Sequence, residues 1–134
     1  MKKEYWELVQ KAFEASENAY VPYSKFRVGA CLMMKDGTYV AGANIENASY
    51  GLSNCAERSA IFAEYSKGYR KEDIEAMAIV TKADKLTTPC GACRQVLGEL
   101  LLPETPIILT NGMEEMETNI RELLPYSFDK DSLT

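Results

Sequence analysis

The first third of the chain changes from a helical to an alternating pattern of hydrophobic residues. The positions that recur at roughly helical spacing are Trp6, Val9, Phe13 and Tyr20. They predict a first helix that Pro22 ends, because proline cannot continue a helix. Residues 26–34 then place an apolar side chain at every second position, which predicts a strand. Asp36-Gly37 is typical of a hairpin turn, so residues 38–43 are predicted to return as a second strand.

Helical and strand-like segments continue to alternate through the rest of the chain. They are a polar loop over 44–53, a helix over 54–67, a strand over 76–81, a helix over 91–102, a strand over 106–110 and a short strand near Thr118. Gly68 and Pro103 are expected to end the two helices. The second helix is expected to turn four side chains toward the core, namely Ala56, Ala60, Phe62 and Ala63.

This order of elements implies a mixed sheet with helices on its faces. The chain has 134 residues, which fits one domain with one core. We therefore expect residues 1–134 to form a single domain of the α/β class. Its architecture would be a three-layer α/β/α sandwich around a mixed central sheet of about five strands.

The charge balance weighs against a nucleic-acid substrate. Fifteen Lys and Arg residues face 20 Asp and Glu residues, which gives a net charge of −5. The positive residues are scattered, and the densest group, residues 67–71, is interpreted as a solvated surface cluster. No apolar run approaches the ~20 residues that span a bilayer, and the first residues lack the apolar block of a signal peptide. We therefore expect a cytoplasmic protein with no nucleic-acid or membrane partner.

The sequence contains no histidine, which removes the commonest general base and the commonest zinc ligand. Acid–base chemistry must then come from carboxylates, Tyr, Lys, Cys or a metal-bound water. A zinc site must be built from thiolates and carboxylates. In the cytosol, the four cysteines are more prone to bind a metal or to stay reduced than to form disulfides.

Three of the cysteines have the placement expected of zinc ligands. Cys90 and Cys93 form a C-x-x-C at the start of a predicted helix, and Cys55 opens another. The positive end of each helix dipole favours thiolates there. Three thiolates leave the fourth zinc position free, as in catalytic sites. The alternatives are a thioredoxin-like redox pair at Cys90 and Cys93, and a closed four-cysteine site that adds Cys31. We interpret Cys31 as core packing.

Two charged residues follow Cys55 and have more than one interpretation. If Asn54 is the N-cap, Glu57 falls at the third helical position, where capping and catalysis are about equally compatible with its placement. First-turn side chains lean toward the N-terminus, so this carboxylate can reach a metal at the helix end. The lack of histidine makes Glu57 the leading base. Arg58, or less directly Arg94, could donate to the sulfurs and offset their negative charge.

Longer motifs of the chain resemble those of the cytidine deaminases. Cys55-Ala56-Glu57, followed by residues 89–93, resembles the paired signature of zinc nucleoside and nucleobase deaminases, in the three-cysteine variant whose glutamate is not a ligand. The resemblance extends to residues 22–30, 44–51, 54–58, 89–95 and 122–125, with Phe128. It covers nearly the whole chain and is strongest to the short, homotetrameric kind.

The resemblance implies hydrolytic deamination of free cytidine and deoxycytidine in pyrimidine salvage, with one zinc ion per chain. Cys55, Cys90 and Cys93 would hold the metal, and Glu57 would move the protons. The implied substrate contacts are Phe26 on the pyrimidine, Asn44 and Glu46 on the ribose hydroxyls, backbone near Cys55 and Ala56 on the base edge, and Ala48, Tyr50 and Phe128 in the site of a neighbouring subunit. Competing hypotheses are a deaminase of blasticidin-type antibiotic nucleosides, a nucleic-acid-editing deaminase and a structural zinc module.

Overall fold

The helices and strands that the hydrophobic pattern predicts all occur, in the predicted order. The computed structural model describes residues 1–133. Its helices are α1 (Trp6–Ser16), α2 (Ala56–Ser66), α3 (Gly91–Leu100) and α4 (Ile120–Leu123). Its strands are β1 (Gly29–Met34), β2 (Tyr39–Ala43), β3 (Ile74–Val80), β4 (Ile107–Thr110) and β5 (Glu115–Thr118). None of the helices within residues 1–133 has the length and apolar character that a bilayer crossing requires.

The five strands form one mixed sheet in the order β2-β1-β3-β4-β5. β3 and β4 are parallel, and the other three pairs are antiparallel. Because β1 is antiparallel to both of its neighbours, β2, β3 and β4 all run in the same direction. Each of the connections β2–α2–β3 and β3–α3–β4 is therefore a crossover that carries one helix across the sheet.

The two faces of the sheet are covered by different helices, which confirms the predicted three layers. Along β1, Ala30 and Leu32 join a core cluster with residues of α2 and α3, whereas Cys31 joins a second cluster with residues of α1. This alternation follows from the two-residue period of a strand. α1 therefore lies on one face, and α2 and α3 lie on the other.

Two glycines allow helices to lie against the sheet through backbone contacts. A Cβ atom on Gly29 would stand 1.9 Å from the carbonyl oxygen of Ala12 in α1. A Cβ atom on Gly42 would stand 2.5 Å from the backbone nitrogen of Ala60 in α2. Any side chain at either position would push its helix away from the sheet. The close approach at Gly42 thus fixes where α2 begins relative to the β1–β2 hairpin.

The first helix is shorter than predicted. α1 ends at Ser16, well before Pro22, and Tyr20 lies beyond it with an exposed side chain. The guanidinium of Arg27 donates to the carbonyls of Glu17 and Ala19 at 3.0 and 2.9 Å. It satisfies backbone acceptors that a longer helix would have used, so the chain can turn there.

Two further differences also come from side chains that bind the backbone. β1 begins at Gly29 rather than at residue 26, because Asn44 replaces the missing strand bonds. Its Oδ1 accepts from the Val28 amide at 2.9 Å, and its Nδ2 donates to the Phe26 carbonyl at 2.7 Å. The short helix α4 was not predicted. Asn119 caps it by accepting from an amide in its first turn.

The face of α2 that packs toward the core includes Glu64 and does not include Phe62, which was predicted there. Phe62 is 44% exposed, so its predicted packing is wrong, while Ala56 and Ala60 are fully buried as expected. Glu64 is fully buried, and neither of its carboxylate oxygens has a hydrogen-bond partner among the described residues. Burial, reinforced by Asp73, raises the pKa of Glu64 to about 7. The packing of α2 on β1 and β2 decides which of its residues are buried. Glu64 is among them although its side chain ends in a carboxyl group.

The buried Glu64 makes stability depend on pH. Its carboxyl pKa is higher in the folded chain than in the unfolded one, so the folded chain binds more protons between these values. Stability therefore falls as pH rises from about 4.5 to about 7. We compare the unfolding free energies of Glu64→Gln and wild type. Their difference, in favour of the variant, is expected to grow by about 2 kcal/mol between pH 5 and pH 8.

Urea unfolding at one fixed chain concentration measures this difference. Glu99→Gln, at an exposed position of α3, is the matched control, and its difference from wild type should stay flat across the same pH range. A flat difference for Glu64→Gln as well would contradict the predicted titration.

Candidate active site

The three cysteines predicted as zinc ligands lie together at the starts of two helices. Cys55 is the N-cap residue of α2, Cys90 is the N-cap residue of α3, and Cys93 lies in the first turn of α3. Their sulfur atoms all lie within 4.8 Å of one another, and those of Cys55 and Cys90 are 3.9 Å apart. Cys93 is buried, while the Cys90 side chain is exposed.

The sheet topology explains why these two helix starts meet. β2, β3 and β4 run in the same direction, so their carboxyl ends lie at one edge of the sheet. α2 follows β2 and α3 follows β3, so both helices begin at that edge. In open α/β sheets, ligands commonly bind at the carboxyl ends of the strands. The positive ends of both helix dipoles thus point toward the cysteine cluster.

The protonation of the cluster fits a bound dication. The pKa of Cys55 is lowered to about 5 by a hydrogen bond from Cys93 and by Arg58. The same hydrogen bond, together with burial, raises the pKa of Cys93. The protein alone therefore favours a thiolate at Cys55 beside a thiol at Cys93, and a divalent cation would hold both of these sulfurs deprotonated.

The spacing of the sulfurs fits zinc. Two sulfurs that each lie about 2.3 Å from a tetrahedral zinc ion are about 3.8 Å apart. The separation of 3.9 Å between Cys55 Sγ and Cys90 Sγ is close to that distance. Three thiolate ligands leave one position for a fourth ligand.

Glu57 and Arg58 lie beside the cysteine cluster. Glu57 is 5% exposed, and burial raises the pKa of its carboxyl group, although a hydrogen bond with Cys93 acts in the opposite direction. Arg58 donates from Nη2 to the Cys55 sulfur at 3.4 Å. Its buried Nε has no hydrogen-bond partner among residues 1–133. The site therefore combines sulfur ligands, a buried carboxyl group and a guanidinium beside a sulfur.

The predicted helix cap at Asn54 is wrong. Cys55 is the N-cap residue, so Glu57 falls at the second helical position rather than the third. The side chain of Asn54 instead donates from Nδ2 to Ser59 Oγ at 3.1 Å. No capping box forms at this helix start, so the predicted bond between Glu57 and the N-cap amide does not account for the placement of this carboxyl group.

Arg94 does not donate to the sulfurs, contrary to the second hypothesis for the guanidinium. Its three donor nitrogens contact the carbonyls of Pro89 and Leu123 and the hydroxyl of Thr88. Cys31 also lies apart from the cluster. It is fully buried among residues on the α1 side of the sheet, and burial raises its pKa to about 11. Among the described residues, the candidate metal cluster contains the three other cysteines alone.

Asn44 and Glu46 support the loop that carries Phe26. Asn44 binds the backbone on both sides of Arg27, as described above. The Glu46 carboxylate accepts from the amides of Tyr23 and Ser24, each at 3.1 Å, and from the Ser24 hydroxyl. The Ser24 contacts lower the pKa of Glu46, so it is an ionised acceptor at neutral pH. The Phe26 side chain is 38% exposed.

Backbone hydrogen bonds join this loop to the start of α2, the helix that follows Cys55. Ile45 and Asn54 exchange backbone hydrogen bonds at 3.0 and 2.9 Å, which places residues 44–46 beside the start of α2. Ala56, the first residue of that helix, is fully buried. Its amide lies at a helix start, where no intrahelical acceptor is available.

The remaining predicted contacts lie on the surface of the chain. Ala48 and Tyr50 are exposed, and the Tyr50 ring meets Tyr23 edge to face at 6.5 Å. Phe128 is exposed, and its carbonyl accepts from Gln95 Nε2 at 2.8 Å. Sequence reasoning missed the roles of Ser24 and Gln95. A serine two residues before Phe26 is a known turn signal, and the Ser24 hydroxyl does accept from the Phe26 amide.

Comparison with known proteins relates the chain to one family. Residues 2–108 match the family model described as the cytidine and deoxycytidylate deaminase zinc-binding region. A cytidine deaminase of Halalkalibacterium halodurans is 50% identical over 127 residues, which cover 94% of this chain and 95% of that protein. A cytidine deaminase of Mycobacterium tuberculosis is 38% identical over 133 residues, which cover 96% of this chain and 92% of that protein.

Solved structures show the same fold. A crystal structure of cytidine deaminase from Burkholderia pseudomallei matches with a TM-score of 0.89 at 45% identity and covers 96% of this chain and 100% of that one. A crystal structure of cytidine deaminase from Mycobacterium tuberculosis matches with a TM-score of 0.78 at 37% identity and covers 95% and 98% of the two chains. With its three converging cysteines, this chain is therefore a zinc-binding member of the cytidine and deoxycytidylate deaminase family.

Proposed function

We propose that this enzyme hydrolyses free cytidine and deoxycytidine to uridine and deoxyuridine, with release of ammonia. The observation that carries the proposal is the meeting of three cysteine sulfurs beside the buried carboxyl group of Glu57. That arrangement offers three zinc ligands, a free fourth position and a proton carrier. The similar proteins described above are cytidine deaminases, which supports this reaction over a structural zinc module.

The residues of the site suit the proton transfers of the reaction. A zinc ion held by Cys55, Cys90 and Cys93 would supply water activated for attack at neutral pH. Glu57 would accept one proton from that water and deliver it to N3 of cytosine as the water oxygen bonds to C4. Glu57 then takes up the second proton of the added water, now on the C4 hydroxyl, and passes it to the amino group that leaves C4, so one water is consumed and one ammonia is released. The raised pKa of the buried Glu57 carboxyl favours its holding the proton between the two transfers.

Arg58 supports this chemistry through Cys55. Three thiolates around a divalent zinc ion carry one net negative charge, which weakens the pull of the metal on a water molecule. The Arg58 guanidinium, 3.4 Å from the Cys55 sulfur, offsets part of that charge.

The nucleoside contacts extend the proposal to substrate recognition. Phe26 stacks on the pyrimidine ring, and the exposed part of its side chain is available for this contact. Asn44 retains a second amide hydrogen for a ribose hydroxyl, and the ionised Glu46 remains an acceptor. Backbone groups near Cys55 and Ala56 bind the edge of the base. The loop contacts described above hold these groups in one rigid frame.

The exposure of three predicted contact residues supports the proposal that active sites are shared between subunits. Ala48, Tyr50 and Phe128 are exposed in the isolated chain, and we infer that they complete the site of a neighbouring subunit in a homotetramer. We further infer that residues 1–134 form one catalytic domain and that the enzyme acts in pyrimidine salvage in the cytoplasm. The acidic net charge argues against a nucleic-acid substrate.

The test is a substrate panel with a zinc assay on the same sample. The purified protein is mixed with cytidine, deoxycytidine, cytosine and blasticidin S, and deamination is followed by ultraviolet absorbance. We expect rapid turnover of cytidine and deoxycytidine, and about one zinc ion per chain. Turnover of blasticidin S alone would make the protein an antibiotic-nucleoside deaminase. Zinc without turnover of any of the four would overturn the proposed substrate class.

A further inference from the structure

Arg94 joins two segments that are distant in sequence. Its Nε donates to the Pro89 carbonyl at 2.8 Å, and its Nη2 donates to the Thr88 hydroxyl at 2.9 Å. Its Nη1 donates to the Leu123 carbonyl at 2.8 Å. Residues 88–89 lead directly into Cys90, whereas Leu123 is the last residue of α4. One guanidinium therefore binds the approach to a metal ligand and the residue just before the C-terminal segment, defined here as residues 124–133.

The next residue along α3 holds the same C-terminal segment. Gln95 Nε2 donates to the Phe128 carbonyl at 2.8 Å. Leu124 packs against the core cluster that includes residues of α3. Two consecutive side chains that follow Cys93 thus make polar contacts, one with the end of α4 and one with the C-terminal segment.

Geometry limits which side chain can make these bonds. The three acceptors of Arg94 lie around one planar guanidinium, which presents its donors in a fixed fork. A lysine in its place keeps the charge but cannot donate in these three directions at once. Arg121, in α4, has no comparable role, because its Nε pairs with the exposed carboxylate of Glu104 at 2.9 Å.

We propose that Arg94 is a positioning residue that couples zinc retention to the docking of the C-terminal segment. Pro89 has no amide hydrogen, so its carbonyl is the one backbone group through which residue 89 can be held. Arg94 therefore holds two segments at once. They are the segment that leads into Cys90 and the segment that leaves α4. A coupling between two binding events is reciprocal, so each must strengthen the other.

The first measurement is the rate at which zinc leaves the protein for a chromogenic chelator. We expect Arg94→Lys to release zinc about tenfold faster than wild type, because charge-assisted hydrogen bonds are lost while the charge is kept. Thr88→Val retains Arg94 and removes one acceptor, so it should show a smaller increase in the same direction. Arg121→Lys is the matched control and should release zinc at the wild-type rate.

The second measurement is hydrogen exchange of residues 124–133 in the assembled protein, with and without zinc. We expect zinc to slow exchange in wild type and in Arg121→Lys, and to have no effect on this segment in Arg94→Lys. Circular dichroism shows whether each variant folds, and Thr88→Val provides the test if Arg94→Lys does not.

Two results would overturn the coupling: wild-type zinc release by folded Arg94→Lys, or exchange of the C-terminal segment that is independent of zinc in wild type. Neither readout requires turnover. Failure of the nucleoside assay would therefore reject the proposed function and leave this inference to be judged by itself.

Discussion

Glu57→Gln is expected to keep its fold and its zinc while turnover of cytidine falls by about a thousandfold. The substitution preserves the size of the buried side chain and removes its ability to take up and return a proton. Glu57 is not one of the three clustered sulfur ligands, so metal binding should not depend on its charge. The loss should appear in kcat rather than in KM, because proton transfer belongs to the chemical step.

Steady-state kinetics and a zinc assay on the same preparation check this result. Glu64→Gln is a matched control, since it removes a second buried carboxylate from the same helix, at a position outside the proposed site. It should retain kcat. A Glu57→Gln enzyme with near-normal kcat would exclude the proton-carrier role.

Cys90→Ala is expected to reduce bound zinc from about one ion per chain to nearly none after dialysis against a mild chelator. Two sulfurs and water bind zinc far more weakly than three thiolates that the fold holds together. Turnover should fall in parallel with the metal. Because the Cys90 side chain is exposed, its removal leaves no cavity in the core, and the fold should persist.

Cys31→Ala provides the control for loss of a cysteine. Cys31 packs on the α1 side of the sheet, so this variant should lose some stability through its core cavity and keep its full zinc content. Metal analysis of both variants decides the ligand set. Loss of zinc in Cys31→Ala, or full retention in Cys90→Ala, would contradict the three-cysteine site.

Local pattern predicted most of the fold. The alternation in β1, the Asp36-Gly37 turn and the position of α2 depend on residues close in sequence, and the structure confirms these elements. The end of α1 could not be predicted in this way, because Arg27 reaches back from a later segment to bind the carbonyls of Glu17 and Ala19, just beyond the helix. Glu64 was missed for a related reason: its burial is decided by the packing of a whole helix.

In the candidate site, too, local features could be predicted and contacts between distant residues could not. Cys55, Cys90 and Cys93 were identifiable because each stands at a helix start, where local signals are strong. The bracing contacts of Glu46 with Ser24 and of Arg94 with Leu123 join distant parts of the chain. Neither pattern nor spacing contains the information that would pair these side chains.

The glycine contacts have a consequence for motion. At Gly29 and Gly42 a helix meets the sheet through backbone atoms, so no side chain lies between them that could rearrange at these two points. These two contacts leave α1 and α2 little room to slide over the β1–β2 hairpin. Cys55, the N-cap residue of α2, is therefore held at a fixed distance from the hairpin.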